Sequence, residues 1–176
     1  MIKKKKYQNG FSLIELMVVF SLVAIVSGIG LASFVSYSRK QTLTQAAYDF
    51  KLTIEVAKFN ALSSIKQSSS CSGDSLVGYK VVLCAKSLGG TCPGSNAPSN
   101  FYEIYAVCGS GLDNSLVSSK KLPDNVSIVT NDTDCTEIKF DSLSNYITGV
   151  PCSIKLQGYG ATQTLSLDSG GNVAIN

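Results

Sequence analysis

The sequence predicts an α+β protein: one long N-terminal helix, its inner half membrane-spanning, packed on a C-terminal β-sheet head. Three observations predict it. From Phe11 to Tyr37 there are 27 residues and a single charge, Glu15. From Lys40 to Lys66 an apolar stripe repeats at helical spacing, with no Pro or Gly to interrupt it. Beyond Gln67 the chain breaks into short runs of β-branched and aromatic residues, separated by Gly, Ser and Asn.

A helix needs about 20 apolar residues to cross a bilayer core, so Leu16 to Val35 is long enough. Ser21, Ser27 and Ser33 do not interrupt it, because a serine hydroxyl bonds back to the preceding turn. Gly28 and Gly30 sit mid-span, where small residues let neighbouring helices approach closely. Lys3, Lys4, Lys5 and Lys6 precede the run and favour the cytoplasmic side, which puts the rest of the chain outside the membrane. An ordinary secretory signal is removed whole after small residues; this run is too long, and it ends in Phe34-Val35-Ser36-Tyr37-Ser38. A plain signal anchor explains the lysines and the length. It does not explain Gly10 beside Phe11, or Glu15 four residues on. A carboxylate at mid-membrane costs about 2.5–3.5 kcal/mol on insertion scales, so Glu15 asks for a partner.

In the outer half, Leu43, Ala46, Ala47, Phe50, Ile54, Ala57, Ala61 and Ile65 recur at steps of three and four. Lys40, Lys51, Glu55, Lys58 and Lys66 mostly take the opposite side, with Glu55 spaced to pair with Lys51 and with Lys58. The two halves read as one helix from about Phe11 to about Lys66, roughly 80 Å at 1.5 Å per residue. Strand candidates follow at Tyr79–Ala85, Phe101–Cys108, Val126–Thr130, Glu137–Asp141, Ser153–Gln157, Gln163–Asp168 and Asn172–Ile175. Asp168-Ser169-Gly170-Gly171-Asn172 reads as a hairpin turn between the last two. Ser87–Asn100 and Gly109–Leu116 read as loops, and Lys120-Lys121 as a solvated charge pair on a loop. So many strands cannot all be covered by one helix face, which predicts a head of one or two small sheets laid on the outer helix.

The chain carries a net charge of +3. Without the four leader lysines it holds 11 basic and 12 acidic residues, and beyond Gln67 there are six lysines, no arginine and nine acids. Nonspecific nucleic-acid binding relies on Lys and Arg neutralising phosphates, so DNA is disfavoured as a partner. The six cysteines Cys71, Cys84, Cys92, Cys108, Cys135 and Cys152 all lie beyond the apolar helix. An even count in an exported part reads as disulfides. Fifteen connectivities are possible; neighbour pairing, Cys71–Cys84, Cys92–Cys108 and Cys135–Cys152, is the working expectation. With no histidine and no CxxC spacing, no zinc site is expected. Asp132, Asp134, Glu137 and Asp141 form an acidic cluster that reads as solvated turn chemistry rather than a calcium loop. No catalytic residue, metal or cofactor is expected, and no enzymatic activity.

Gly10-Phe11-Ser12-Leu13-Ile14-Glu15 behind a lysine-rich leader resembles the processing site of the type IV prepilin family, which comprises pilins, minor pilins and the pseudopilins of type II secretion. The resemblance implies that residues 1–10 are a leader and that a prepilin peptidase cuts between Gly10 and Phe11 and methylates the new Phe11 amine. It implies a pilin-like fold: 11–37 a transmembrane and later filament-core helix, 38–66 an amphipathic outer half, 67–176 a disulfide-bonded β-rich head. Glu15 and the Phe11 amine stand at i and i+4, so they can pair within one chain; the resemblance implies pairing between subunits instead. The implied partners are the prepilin peptidase, other pilins or pseudopilins through helix bundling, an inner-membrane assembly platform, and membrane lipid before assembly. The implied location is a single-pass membrane protein with its head outside the cytoplasm, then a pilus or pseudopilus at the cell surface or in the periplasm. Many major pilins carry a proline near the depth of Ala32, where this chain has none.

Ala57-x-x-x-Ala61, Ile138-Lys139-Phe140-Asp141-Ser142-Leu143 and Thr164-Leu165-Ser166-Leu167-Asp168-Ser169-Gly170-Gly171-Asn172-Val173 look most like the GspH/FimT group of that family. Its DNA-receptor members carry Gly-Arg-x-Arg near the C-terminus; the matching Gly171-Asn172-Val173-Ala174 has neither arginine. The expected function is a structural minor pilin or pseudopilin subunit, the alternative a DNA-capture minor pilin for natural transformation. An adhesive role of the head stays open.

Overall fold

The structure is a computed structural model that describes residues 10–66, 71, 73–84, 100–109, 114–129, 133–144 and 146–176. Its elements are α1 (Leu13–Leu62), β1 (Leu76–Cys84), β2 (Phe101–Cys108), β3 (Asn114–Lys121), β4 (Val126–Ile128), β5 (Glu137–Asp141), β6 (Ile147–Thr148), β7 (Cys152–Gly158), β8 (Ala161–Leu167) and β9 (Val173–Ile175). This is the α+β order the sequence predicts. Two compact units divide the chain, one ending at Arg39 and one running from Lys40 to Asn176.

The first unit is the inner part of α1. It is long and apolar enough to cross a membrane. Its large side chains, Met17, Phe20, Leu22 and Ile25 among them, stay exposed. The Ser21 hydroxyl donates to Val18 O at 2.8 Å, which satisfies it inside the helix, as a lipid-embedded segment requires.

In the second unit α1 continues to Leu62 and ends without a glycine. Ser64 N donates to Ala61 O at 3.0 Å and Ile65 N to Asn60 O at 3.0 Å, the paired bonds of a Schellman motif. Ser64 takes the left-handed position with φ 49°. The Tyr79 hydroxyl of β1 then donates to Ile65 O at 2.6 Å and fixes the exit of the chain. The predicted apolar stripe is buried from Leu43 to Ala61, whereas Ile65, beyond the helix end, is exposed. The outward face differs from expectation. Tyr48, Leu52, Val56 and Phe59 lie exposed there among the charges, a second apolar stripe at steps of four and three. Lys51 pairs with Glu55 at 3.7 Å as its spacing predicts. Lys58 turns away from Glu55 and donates to Gly170 O at 2.7 Å.

The strands form two antiparallel sheets, β3-β2-β1-β5-β6 and β4-β7-β8-β9. The helix stripe and both sheets share one core: Phe50, Ile54 and Ala57 of α1 cluster with Tyr79, Val81, Ile138, Phe140, Ile154 and Leu165. Burying a large aliphatic or aromatic side chain of this kind stabilises by about 1.5–3 kcal/mol. Phe50 meets Tyr102 edge to face, with ring centroids 4.7 Å apart. Thr53 is the polar hub of that contact: its hydroxyl donates to Asp49 O at 2.8 Å and accepts from Lys120 Nζ at 3.3 Å. Gly78 answers a close approach, since a Cβ there would run into the Phe140 carbonyl of the paired strand.

Two strands were not expected. β3 takes in 114–116, the end of the predicted Gly109–Leu116 loop, and turns Lys120 and Lys121 into strand residues. It is a polar sheet edge, Asn-Ser-Leu-Val-Ser-Ser-Lys-Lys, whose weak alternation hides it; lysines blunt an edge against stray pairing. β6, two residues long, forms a short hairpin with β5. The Asp168–Asn172 turn joins β8 to β9 as predicted. Residues 87–99 of the other predicted loop lie outside the described residues.

Candidate functional site

Ser12 starts the helix. Its carbonyl accepts from Leu16 N at 3.2 Å and its hydroxyl accepts from Glu15 N at 3.3 Å, so one of the free first-turn amides is capped. Ser12-x-x-Glu15 has capping-box spacing, a signal present in the sequence that the processing-site reading passed over. Glu15 lies in the first turn, where the positive end of the helix dipole favours a carboxylate. Among the described residues no cationic group pairs with that carboxylate, and Glu15 is exposed. Gly10 precedes the helix outside any secondary-structure element, and Phe11 is 81% exposed. The three residues singled out for processing and assembly thus stand at an uncovered helix start.

Two disulfides are described. Cys135–Cys152 is the expected neighbour pair. Cys71 bonds to Cys108, which overturns both Cys71–Cys84 and Cys92–Cys108. The reason is the β1–β2 ladder, whose antiparallel register sets Leu76 opposite Cys108 and Cys84 opposite Phe101. Cys71, five positions ahead of β1, therefore meets the end of β2, not the far end of β1. Cys84 is also disulfide-bonded; Cys92 lies outside the described residues.

The acidic cluster is taken up by separate partners. Asp134 accepts from the Ser153 hydroxyl at 2.9 Å, Glu137 pairs with Lys80 at 3.7 Å, and Asp141 with Lys139 at 3.0 Å; Asp132 is outside the described residues. Among the described residues no group of three or more His, Cys, Asp or Glu converges on a metal site. The buried acid is one that the sequence did not mark. Glu103, 3% exposed, accepts from the Tyr105 hydroxyl at 2.5 Å and the Ser119 hydroxyl at 3.1 Å. Burial, and then the Glu103 carboxylate, push the Tyr105 hydroxyl well above its ordinary range. Lys80 stands 5.5 Å from the centre of the Tyr105 ring, within cation–π range.

A cleft of about 280 Å³ opens in the head between the end of α1, the β5–β6 hairpin and the β8–β9 turn. Asp168 organises the turn: its carboxylate accepts from Asn172 N at 2.8 Å and Asn172 Nδ2 at 2.9 Å. Those bonds, the side-chain amide first, hold the Asp168 carboxyl below its ordinary value. Lys58 closes the cleft floor by donating to Gly170 O and Asn172 Oδ1. Tyr146 lines the cleft while 65% exposed; three positions before it Leu143, outside the lining, adopts a left-handed φ of 59° and is 83% exposed. A Leu rather than Gly or Asn in that conformation costs about 1–2 kcal/mol.

The fold and its bare N-terminal segment define a protein with a lipid-length helix leading into a disulfide-bonded β head. Residues 5–31 match the prokaryotic N-terminal methylation motif. Over 43 residues, 24% of this chain and 30% of the relative, the sequence is 49% identical to prepilin peptidase-dependent protein D of Escherichia coli (strain K12). The match therefore spans under a third of that protein's length. No solved structure matches the chain. The N-terminal segment is thus similar to that of a prepilin peptidase-dependent protein, and it opens a long apolar helix followed by antiparallel sheets.

Proposed function

We propose that the chain is a structural subunit of a type IV pilus or a type II secretion-like filament, inserted through α1, and that it is neither a catalyst nor a DNA receptor. The observation that carries this reading is the methylation motif over residues 5–31, lying across the capped start of a membrane-length helix whose apolar surface is uncovered. A prepilin peptidase cuts between Gly10 and Phe11 and methylates Phe11. The lysines hold the leader in the cytoplasm, the head lies outside, and the helix rests in lipid until an assembly platform extracts it. Two unit charges attract far more strongly in low dielectric than in water, where 4 Å of separation is worth about 1 kcal/mol. Glu15 thus pairs with the Phe11 amine of the subunit already in place and sets the axial register, since leaving it buried and unpaired costs several kcal/mol. The test is co-expression with a prepilin peptidase, mass spectrometry of the new N-terminus, and an assembly assay. Glu15→Ala is expected to be exported and cleaved but excluded from filaments; normal incorporation removes the charge-pair role, and an uncut chain removes the subunit reading.

A further inference from the structure

We propose that the cleft between the end of α1, the β5–β6 hairpin and the β8–β9 turn binds a neutral saccharide. Its volume, about 280 Å³, lies at the small end of ligand sites and suits one or two sugar rings. Tyr146 lines it while 65% exposed, so its ring face offers a stacking surface to the C–H face of a sugar, with Ile147 extending the apolar wall. The polar lining supplies both hands of hydrogen bonding. Lys58 has three N–H groups, two of them committed to Gly170 O and Asn172 Oδ1, which leaves one to donate inward. Asp141 lines the cleft with its Oδ1 buried beside Lys139, the Ser144 hydroxyl can donate and accept, and the Asn172 amide keeps one N–H beyond its bonds to Lys58 and Asp168. Sugar hydroxyls, each donor and acceptor at once, match such a mixed set.

Charge and edge geometry select among ligands. Asp141 is compensated by Lys139 at 3.0 Å, and Lys58 sits near the ionised Asp168. No surplus charge of either sign faces the cleft, so an anionic or cationic ligand gains nothing there. An added peptide strand needs a run of free backbone groups, and the adjoining edge strand β6 is two residues long.

The full-length chain in detergent micelles is applied to an array carrying neutral hexosides and N-acetylhexosaminides, sialylated glycans and short peptides. Retention by neutral glycans is expected. In titration with the best of them, Tyr146→Ala weakens binding at least about tenfold, while Tyr146→Phe and the distant Tyr48→Ala retain it. Tyr146 is exposed, so its loss leaves the core intact and the comparison meaningful. Retention confined to sialylated glycans or to peptides, no glycan binding, or an unchanged affinity in Tyr146→Ala each overturns the proposal. None of these outcomes bears on the filament reading, because processing and assembly are measured separately.

Discussion

Lys58 and Asn172 are joined by a 3.1 Å hydrogen bond across 114 positions of chain. One sits on the helix, the other in the last turn of the head, and the same ammonium also holds Gly170 O at 2.7 Å. Lys58→Met keeps the stem and removes the tie. The bond is partly exposed, so the expected loss is about 1 kcal/mol, read as a lower thermal midpoint. Hydrogen exchange at Asn172 N–H is expected to quicken more than exchange in β5. An equal change in both would mean that the tie is not local.

Asp168 makes the same turn sensitive to acid. Its folded carboxyl is held below the ordinary 3.8, chiefly by the Asn172 amide, so its contribution is present above that value. It is lost as pH falls through the lower folded value. Asp168→Asn should therefore melt earlier than the parent at neutral pH, and the two curves should converge below pH 3.8. A gap that persists in acid would assign the difference to packing.

The Glu103–Tyr105 pair gives the opposite pH signature. A raised phenol value means that stability is complete below the ordinary 10.0 and is lost as pH climbs above it, when the unfolded chain ionises first. Tyr105→Phe removes this alkaline sensitivity. At neutral pH the variant should be weaker by about 1–3 kcal/mol, because a buried carboxylate loses a donor. Denaturant titrations at neutral pH and above pH 10 check both statements.

The disulfides can be ranked by the loops they close. Cys71–Cys108 spans 37 residues and Cys135–Cys152 spans 17. In the chain-entropy account these contribute about 4 and about 3 kcal/mol, so the Cys71→Ala/Cys108→Ala double variant should have the lower denaturant midpoint. Peptide mapping under non-reducing conditions should recover both cross-links; a Cys71–Cys84 peptide would contradict the β1–β2 register.

The helix was legible from residues 11–66 alone, and several strands from their own alternation. No breaker falls in the outer half of the helix, and Leu43, Phe50 and Ile54 carry the period that buries them. Ile138-Lys139-Phe140 and Leu165-Ser166-Leu167 alternate as strands half-buried on a core must. What was hidden has a common cause. Stripe-reading finds the face that is apolar and does not find a second one mixed with charge, so Tyr48, Leu52 and Phe59 went unmarked. β3 is hidden because an edge strand needs little hydrophobic alternation. The Cys71–Cys108 bond depends on register, which spacing along the chain does not encode. Gly10, Phe11 and Glu15 were readable as a motif, while the cleft combines Lys58, Tyr146 and Asn172 from three distant stretches and no linear pattern joins them.

The Asp168–Asn172 turn also has a place in time. The ribosome makes Asn172 114 residues after Lys58, so the outer half of the helix is synthesised well before the turn that fastens it exists. Until then that stretch of helix must keep its apolar face without the clasp.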